Sequence, residues 1–218
     1  MRKIQPQQIA VFATLVTFAV LLAVITTWLA FGRIPFGDFR GVVLTLVGII
    51  LFYVYSIVLY RVFFGFFPLR DGEVGHGTAQ EFIYHVYVLF YLMIFYPIMR
   101  SGFMPAPFMR AFYLALGAKL GVNTYSQGII HDPGFVTIGD HSVVGQSALL
   151  IPHVIEGDKL AHYPIRIGNH VTVGAMSAVL PGVTIGDGAT VATGAVVPKG
   201  TVIGAGEIWG GVPAKRIK

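Results

Sequence analysis

Hydrophobic positions recur at a spacing of six residues along the second half of the chain. Between residues 167 and 203 every sixth residue is a β-branched aliphatic, and glycine or alanine follows most of them. The same column continues upstream through Ile138, Val144 and Leu150. A short fixed period predicts a parallel β-helix, in which each repeat forms one short strand and stacks on its neighbours. The downstream column consists of Ile167, Val173, Val179, Ile185, Val191, Val197 and Ile203.

One break interrupts this register. Leu150 and Ile167 are seventeen residues apart, which is not a multiple of six. The break falls on residues 151–163, and we expect this segment to leave the β-helix as a loop. Loops on rigid scaffolds carry functional residues more often than the scaffold does.

The first half of the chain has a different pattern. Residues 8–31 and 41–60 are uninterrupted, mostly apolar runs without a charge, and about twenty such residues cross a bilayer as a helix. A signal peptide is the alternative for the first run, but that run is too long and lacks a small-residue cleavage site. The short link between the runs predicts a transmembrane helical hairpin.

Two further helices are expected before the repeats begin. Residues 80–100 are apolar but contain His85, four tyrosines and Pro97, and tyrosine prefers the headgroup level of a membrane. We therefore interpret this segment as an interfacial or re-entrant helix rather than a third span. Residues 106–118 are predicted to form an amphipathic helix that leads into the first coil.

Composition supports two unlike parts, a membrane domain over residues 1–118 and an all-β domain over residues 119–218. Hydrophobic residues make up 55% of the chain and charged residues 11%, whereas soluble domains carry about 25% charged residues. The net charge is +5, and the first part holds eight Lys/Arg against four Asp/Glu, an excess that can meet anionic membrane lipids. No basic run points to nucleic acid. The absence of cysteine excludes thiol catalysis and disulfides.

The repeat resembles that of the hexapeptide-repeat acyltransferases. The resemblance is carried by the run from Ile167 to Gly200 and by the terminal GGVPAKRI. The chain looks most like the terminal acyltransferase-like module of the polylysine-synthetase type, where a similar loop histidine precedes an acidic cluster and a tryptophan precedes the end motif. The resemblance implies a left-handed parallel β-helix with three hexapeptides per coil, a homotrimer, and a site shared between subunits.

His153 is the residue that we expect to act as general base. It lies in the 151–163 loop, and its position before the repeat resumes matches the catalytic histidine of the family. Imidazole is suited to taking a proton from a hydroxyl or amine near neutral pH. Glu156 or Asp158 in the same loop could orient the imidazole. His162 is the second candidate for the base.

Other residues are candidates for binding the two substrates. His131 and Asp132, with His162, could line the acceptor side of the same cleft. For the donor, the resemblance implies acetyl-CoA or another acyl-CoA lying along the β-helix between two subunits, with no metal. The donor-binding positions implied by the resemblance are Ala175 and Thr193 at the pantetheine arm, Lys199 at the phosphates, and Lys215 and Trp209 at the adenine end, where the tryptophan could instead cap the last coil.

The sequence thus predicts a membrane-anchored, acyl-CoA-dependent O- or N-acyltransferase acting on a cell-envelope saccharide or lipid-linked acceptor. Because acyl-CoA is a cytoplasmic donor, the β-helix is expected on the cytoplasmic face of a bacterial cytoplasmic membrane. Two alternatives remain open. One is a trimeric membrane scaffold without catalysis. The other is a zinc enzyme similar to β-helical carbonic anhydrases, which use three histidines between subunits, and here His131, His153 and His162 could supply the imidazole ligands.

Overall fold

The structure, a computed structural model, describes residues 2–218. By contacts the chain forms two compact units. One contains residues 3–69 and 79–95, and the other contains residues 70–78 and 96–218 together with Arg2. Segment 70–78 and the residues after 96 thus group with the β-helix, which differs from a single boundary at residue 118. The helices are α1 (Pro6–Phe31), α2 (Arg40–Phe66), α3 (Ala79–Phe90), a π-helical turn (Tyr91–Phe95), α4 (Tyr96–Arg100) and α5 (Ala106–Leu116).

Three helical segments of the described chain are long and apolar enough to cross a membrane. They are Pro6–Phe31, Gly37–Phe66 and Ala79–Arg100. The first two are largely uncovered, with 11% and 6% of their apolar windows buried, while 56% of the third is buried. The third therefore meets the same criterion of length and composition as the two predicted spans, although its surface is covered much more.

Aromatic side chains account for much of the packing inside the helical unit. The ring centroids of Phe12 in α1 and Phe90 in α3 lie 5.1 Å apart, and those of Tyr60 in α2 and Phe95 lie 5.2 Å apart. Both pairs pack edge to face, the arrangement that aromatic quadrupoles favour. The hydroxyls of Thr26 and Tyr55 are joined at 2.8 Å between α1 and α2. The outer surfaces of α1 and α2 expose large apolar side chains, as a helix in contact with lipid does.

Three parallel sheets form the walls of the β-helix, and each coil contributes one short strand to each sheet. Sheet 1 contains β2 (Lys119–Leu120), β5 (Val136–Ile138), β10 (Ile165–Ile167), β13 (Thr184–Ile185) and β16 (Val202–Ile203). Sheet 2 contains β3 (Tyr125–Ser126), β6 (Val143–Val144), β11 (Thr172–Val173), β14 (Thr190–Val191), β17 (Ile208–Gly210) and the antiparallel β18 (Lys215–Arg216). Sheet 3 contains β4 (Ile129–Ile130), β7 (Leu149–Leu150), β12 (Ala178–Val179) and β15 (Val196–Val197).

The six-residue aliphatic column is the core of the β-helix. Register pairs Ile138 with Ile167, then Ile185, then Ile203, so that like residues stack from coil to coil. Each of these side chains is buried, and complete burial of such a side chain stabilises the fold by about 1.5–3 kcal/mol. Glycine at the corners lets successive coils approach closely. A Cβ added to Gly174 would lie 2.5 Å from the backbone nitrogen of Thr193.

Residues 151–163 leave the parallel coils as a β-hairpin, so the predicted loop has regular strand structure. Strand β8 (His153–Glu156) pairs antiparallel with β9 (Lys159–His162) around a turn at Gly157, where φ is +56°. A third strand, β1 (Gly72–Glu73), pairs with β9 and comes from the segment between α2 and α3. The Lys159 ammonium lies 2.7 Å from the Glu73 carboxylate. Segment 70–78 therefore braces the hairpin.

Helix α5 packs against the first coil and ends at Gly117, whose φ of +108° suits glycine. The buried Tyr113 hydroxyl donates to the Gly128 carbonyl at 3.0 Å and accepts from the Ile130 amide at 3.2 Å. Burial raises the pKa of Tyr113 to about 12, although the hydrogen bond from Ile130 opposes this shift. Arg110 donates to the carbonyls of Thr124 and Gly121. These bonds fix α5 on the coil that carries His131 and Asp132.

Candidate functional site

His153 and Asp132 form the central pair of the site. The hairpin carries His153, and its Nδ1 lies 2.5 Å from Oδ2 of Asp132 in the corner one coil below. The Asp132 side chain is 5% exposed and that of His153 is 26% exposed, so the carboxylate is buried while the imidazole reaches the surface. Asp132 has a φ of +44° and precedes a 3₁₀ turn at Pro133–Phe135. The carboxylate beside His153 is thus that of Asp132, and not that of Glu156 or Asp158.

The pair shifts the pKa of His153. Burial on its own lowers this pKa, but the hydrogen bond to Asp132 and the charge of that carboxylate outweigh burial and raise it above 6.5. A carboxylate can only accept a hydrogen bond, so Nδ1 of His153 carries the proton of the pair. This assignment leaves Nε2 with its lone pair in the neutral imidazole, which is the atom that a general base uses.

His131 and His162 both lie beside this pair. The His131 ring centroid is 5.8 Å from that of His153, with the two rings perpendicular. His162 faces His153 across the hairpin and stacks on Phe135 at 4.6 Å, entirely buried. Burial lowers the pKa of His131 to about 4 and also lowers the pKa of His162, against the opposing charge of Asp132. Both imidazoles are therefore neutral at pH 7, and only His131 of the two is partly exposed.

The other acidic loop residues have different partners. Glu156 forms an ion pair with Lys199, which lies at the corner between sheets 3 and 1 two coils further on. The backbone carbonyl of Asp158 accepts a hydrogen bond from the Arg2 guanidinium at 2.9 Å. Lys199, expected at the phosphates of the donor, is thus held against the hairpin tip by Glu156.

The three histidines of the zinc alternative are neighbours, but they do not form a three-ligand group within one chain. Within residues 2–218, no group of three His, Cys, Asp or Glu side chains is arranged to hold a metal ion. The rings of His131 and His153 meet edge to face, and His162 stacks flat on Phe135.

The residues expected at the pantetheine arm lie on another corner. Ala175 and Thr193 occupy successive coils at the corner between sheets 2 and 3, where the Gly194 amide donates to the Ala175 carbonyl at 2.9 Å. His153 rises from the corner between sheets 3 and 1. One chain therefore carries the two sets of residues on different edges of its β-helix.

Trp209 and Lys215 lie at the carboxyl-terminal end of sheet 2. The Trp209 indole donates to the Glu207 carboxylate at 2.8 Å, and that hydrogen bond, with one from the Gly204 amide, lowers the pKa of Glu207. Trp209 pairs with Val191 on one side and with Arg216 on the other. This geometry fits the capping interpretation of the tryptophan and leaves Lys215 exposed on the last strand.

Two residues near the site were missed by sequence analysis. The Tyr96 ring centroid lies 5.9 Å from that of His131, and the Arg100 guanidinium lies 5.7 Å from the centre of the Tyr96 ring. Both belong to the aromatic segment that we interpreted as a membrane-interface helix. Their i, i+4 spacing places them on one face of a helix, but nothing in the sequence indicates that this face meets His131.

The repeats match a known family. Residues 164–199 match the family described as bacterial transferase hexapeptide (six repeats), and no curated protein matches the chain by sequence. Similar solved structures include a hexapeptide-repeat-containing acetyltransferase from Vibrio cholerae O1 biovar eltor complexed with acetyl coenzyme A (TM-score 0.44, 26% identity, 47% of this chain and 60% of that one). A maltose O-acetyltransferase from Clostridium difficile 630 has a TM-score of 0.44 at 24% identity over 48% and 59% of the two chains. A galactoside acetyltransferase in complex with coenzyme A has a TM-score of 0.40 at 29% identity over 45% and 53%. The chain spans less than two thirds of the length of each of these proteins.

Proposed function

We propose that the chain is a membrane-anchored acyltransferase that moves an acyl group from acetyl-CoA or another acyl-CoA to a hydroxyl or amine of a saccharide or lipid-linked acceptor. The observation that carries the proposal is the His153–Asp132 pair, in which a partly exposed imidazole is held by a buried carboxylate at 2.5 Å. The hexapeptide transferase match over residues 164–199 supports the same reaction class.

In this proposal His153 Nε2 takes the proton from the acceptor as the acceptor oxygen or nitrogen attacks the thioester carbonyl carbon. The carbon–sulfur bond then breaks, and the imidazolium returns the proton to the departing thiolate, so that His153 ends the cycle neutral. Asp132 holds the tautomer through Nδ1 and stabilises the imidazolium while it exists. A positioned general base of this kind is worth roughly 10²–10⁴ in rate.

The donor is proposed to bind between two subunits of a homotrimer. Ala175 and Thr193 lie on a different corner from His153, so a complete site requires the donor corner of one subunit to face the hairpin of the next. This arrangement is the one that the family resemblance implies. Lys199 would reach donor phosphates only by leaving, or sharing, its ion pair with Glu156.

The membrane part is proposed to keep the enzyme where its acceptor is held. We propose two spans, α1 and α2, with segment 79–100 at the interface, because that segment is 56% buried and contains His85 and Pro97. Two spans place both termini in the cytoplasm, where acyl-CoA is made. The acceptor class that fits is a glycan or lipid-linked precursor of the cell envelope.

His153→Ala tests the function directly. Turnover of acyl-CoA with acceptor should fall by about 10²–10⁴, while circular dichroism and oligomer size stay as in the wild type. His141→Asn is the matched control, because His141 lies on the exposed corner between sheets 1 and 2 and asparagine tolerates its φ of +53°. Activity of His153→Ala within a few-fold of wild type would favour the scaffold alternative or a different base.

A further inference from the structure

A line of side chains leads away from His153 along the surface of the β-helix unit. His131 follows at 5.8 Å between ring centroids, Tyr96 follows His131 at 5.9 Å, and the Arg100 guanidinium lies 5.7 Å from the Tyr96 ring centre. His131, Tyr96 and His153 are partly exposed and Arg100 is exposed. We call His131, Tyr96 and Arg100 the acceptor track.

We propose that the acceptor track binds an anionic saccharide, with the sugar ring against Tyr96 and His131 and a phosphate or similar anion at Arg100. This inference rests on the proposed function, since it places the acceptor hydroxyl or amine at His153. It adds the class of acceptor, which is charged, and two residues that determine its specificity, Tyr96 and Arg100.

Each member of the track has the chemistry that such an acceptor requires. The Tyr96 ring offers an apolar face with a polar tip, and binding sites combine such surfaces with a few placed polar groups. A neutral imidazole has one N–H donor and one acceptor nitrogen, which suits the hydroxyls of a sugar. Burial lowers the pKa of His131 to about 4, so its ring is in this neutral form at pH 7.

Arg100 supplies the positive charge at the far end of the track. It forms no ion pair within residues 2–218, and its guanidinium lies over the Tyr96 ring. A guanidinium binds phosphate through two parallel hydrogen bonds and stays charged at any physiological pH. His131, the neighbour on the other side of Tyr96, is uncharged, so Arg100 is the positive group of the track.

The local structure explains why Tyr96 and Arg100 lie together. They are the first and last residues of α4, four positions apart, so their side chains share one face. The π-helical turn at Tyr91–Phe95 directly precedes them and changes the helical register at that point. Such turns occur often at functional sites.

Direct binding to the purified full-length protein in detergent tests the track without depending on catalysis. The probes are N-acetylglucosamine 1-phosphate and the uncharged methyl glycoside of the same sugar, with dissociation constants measured by ligand-observed NMR. Wild type should bind the phosphate probe about 10-fold or more tightly, the difference expected of one charge-assisted contact. Arg100→Ala should abolish this preference, and Tyr96→Ala should weaken both probes while Tyr96→Phe retains both.

Two control variants distinguish this proposal from the catalytic proposal and from a nonspecific effect of removing a positive charge. Arg33→Ala removes an exposed arginine next to α1 and should keep the phosphate preference. His153→Ala should also keep it, so a failed catalytic proposal and a failed track give different results. Equal affinity of wild type for the two probes, or an unchanged preference in Arg100→Ala, would overturn the track. Loss of binding to a short-chain anionic phospholipid in Arg100→Ala, with phosphate-probe affinity unchanged, would instead assign Arg100 to lipid headgroups.

The anionic group could belong to a soluble sugar nucleotide or to a polyprenyl-linked sugar. UDP-N-acetylglucosamine and polyprenyl-diphosphate N-acetylglucosamine distinguish the two sources in the same assay. The track predicts that each is weakened by Arg100→Ala relative to Arg33→Ala, and the tighter one identifies the source. If neither responds to Arg100→Ala, the track does not bind an anionic saccharide.

Discussion

Replacing Asp132 with asparagine separates the charge of the carboxylate from its shape. The change keeps the side-chain size and removes the negative charge beside His153. Asparagine also tolerates the positive φ that this position adopts, +44°, whereas alanine would add backbone strain. The variant should therefore fold like the wild type and differ mainly in how His153 titrates and reacts.

The size of the effect follows from the hydrogen bond. A distance of 2.5 Å to a carboxylate that is 5% exposed places the bond in the charge-assisted class. Such bonds contribute about 1.5–3 kcal/mol, and the same free energy lost from the transition state lowers the rate about 10- to 150-fold. We expect turnover of Asp132→Asn to fall within this range.

The pH dependence gives the sharper signature. The proposed function requires the neutral form of His153, so wild-type kcat/KM should fall as the pH drops through the raised pKa of His153. In Asp132→Asn only burial acts on this group, so its pKa falls and the acidic limb of the profile moves to lower pH. The pair also stabilises the folded state below pH 6.5, and this contribution is lost as the pH rises through the raised pKa. Asp132→Asn should therefore lower the melting temperature more at pH 5.5 than at pH 8.5.

The assay is steady-state release of CoA across pH 5 to 9, with melting curves in the same buffers. Glu156→Gln is the matched control, because it converts a carboxylate of the same hairpin that pairs with Lys199 instead. Its acidic limb should coincide with that of wild type. An acidic limb that stays in place in Asp132→Asn, or moves in Glu156→Gln, would refute the assignment of Asp132.

The remaining predictions concern assembly, the donor and topology. Trimers should persist in detergent. Inactive His153→Ala chains that are co-assembled with inactive Thr193→Trp chains should regain activity, because one interface then combines an intact histidine with an intact donor corner. A fully active monomer would contradict the shared site. Lys199→Glu should raise the KM for acyl-CoA with little change in kcat. Adding Glu156→Lys should restore the ion pair but leave the KM raised. A return of the KM to the wild-type value would mean that Lys199 only holds the hairpin. A reporter fused at Phe36 should lie outside the cell, and one fused at the carboxyl terminus should lie inside. Labelling of the carboxyl terminus from outside would contradict the proposal that acyl-CoA is the donor.

The repeat positions could be predicted because the contacts of a β-helix join coils that are close in sequence. Each coil stacks on the next, so the column from Ile138 to Ile203 shows its register in the sequence itself. The hairpin also left a signal that was overlooked. Gly157-Asp158 lies between two short runs that begin at His153 and end at His162, and a glycine-first pair between such runs is typical of a hairpin.

Other parts of the site could not be found in this way. The brace at Gly72–Glu73 is about ninety residues away from its partners in strand β9, and β pairing over such a separation has no local pattern. Asp132 lies twenty-one residues before His153. The stacking of consecutive corners brings these two residues close, but the path of the hairpin decides which carboxylate the imidazole meets. The contact of Tyr96 with His131 depends on how α4 lies on the first coil, and hydrophobic periodicity does not specify this.

The strand at Gly72–Glu73 limits how this protein can be divided or recombined. A fragment that starts at residue 119 retains every parallel coil, yet it loses the third strand of the sheet that carries His153, with the Glu73–Lys159 ion pair. A truncated variant or a chimaera must therefore carry residues 70–78 along with the β-helix. The functional module is discontinuous in sequence, and the exchangeable part is confined to what lies outside residues 70–78 and 96–218.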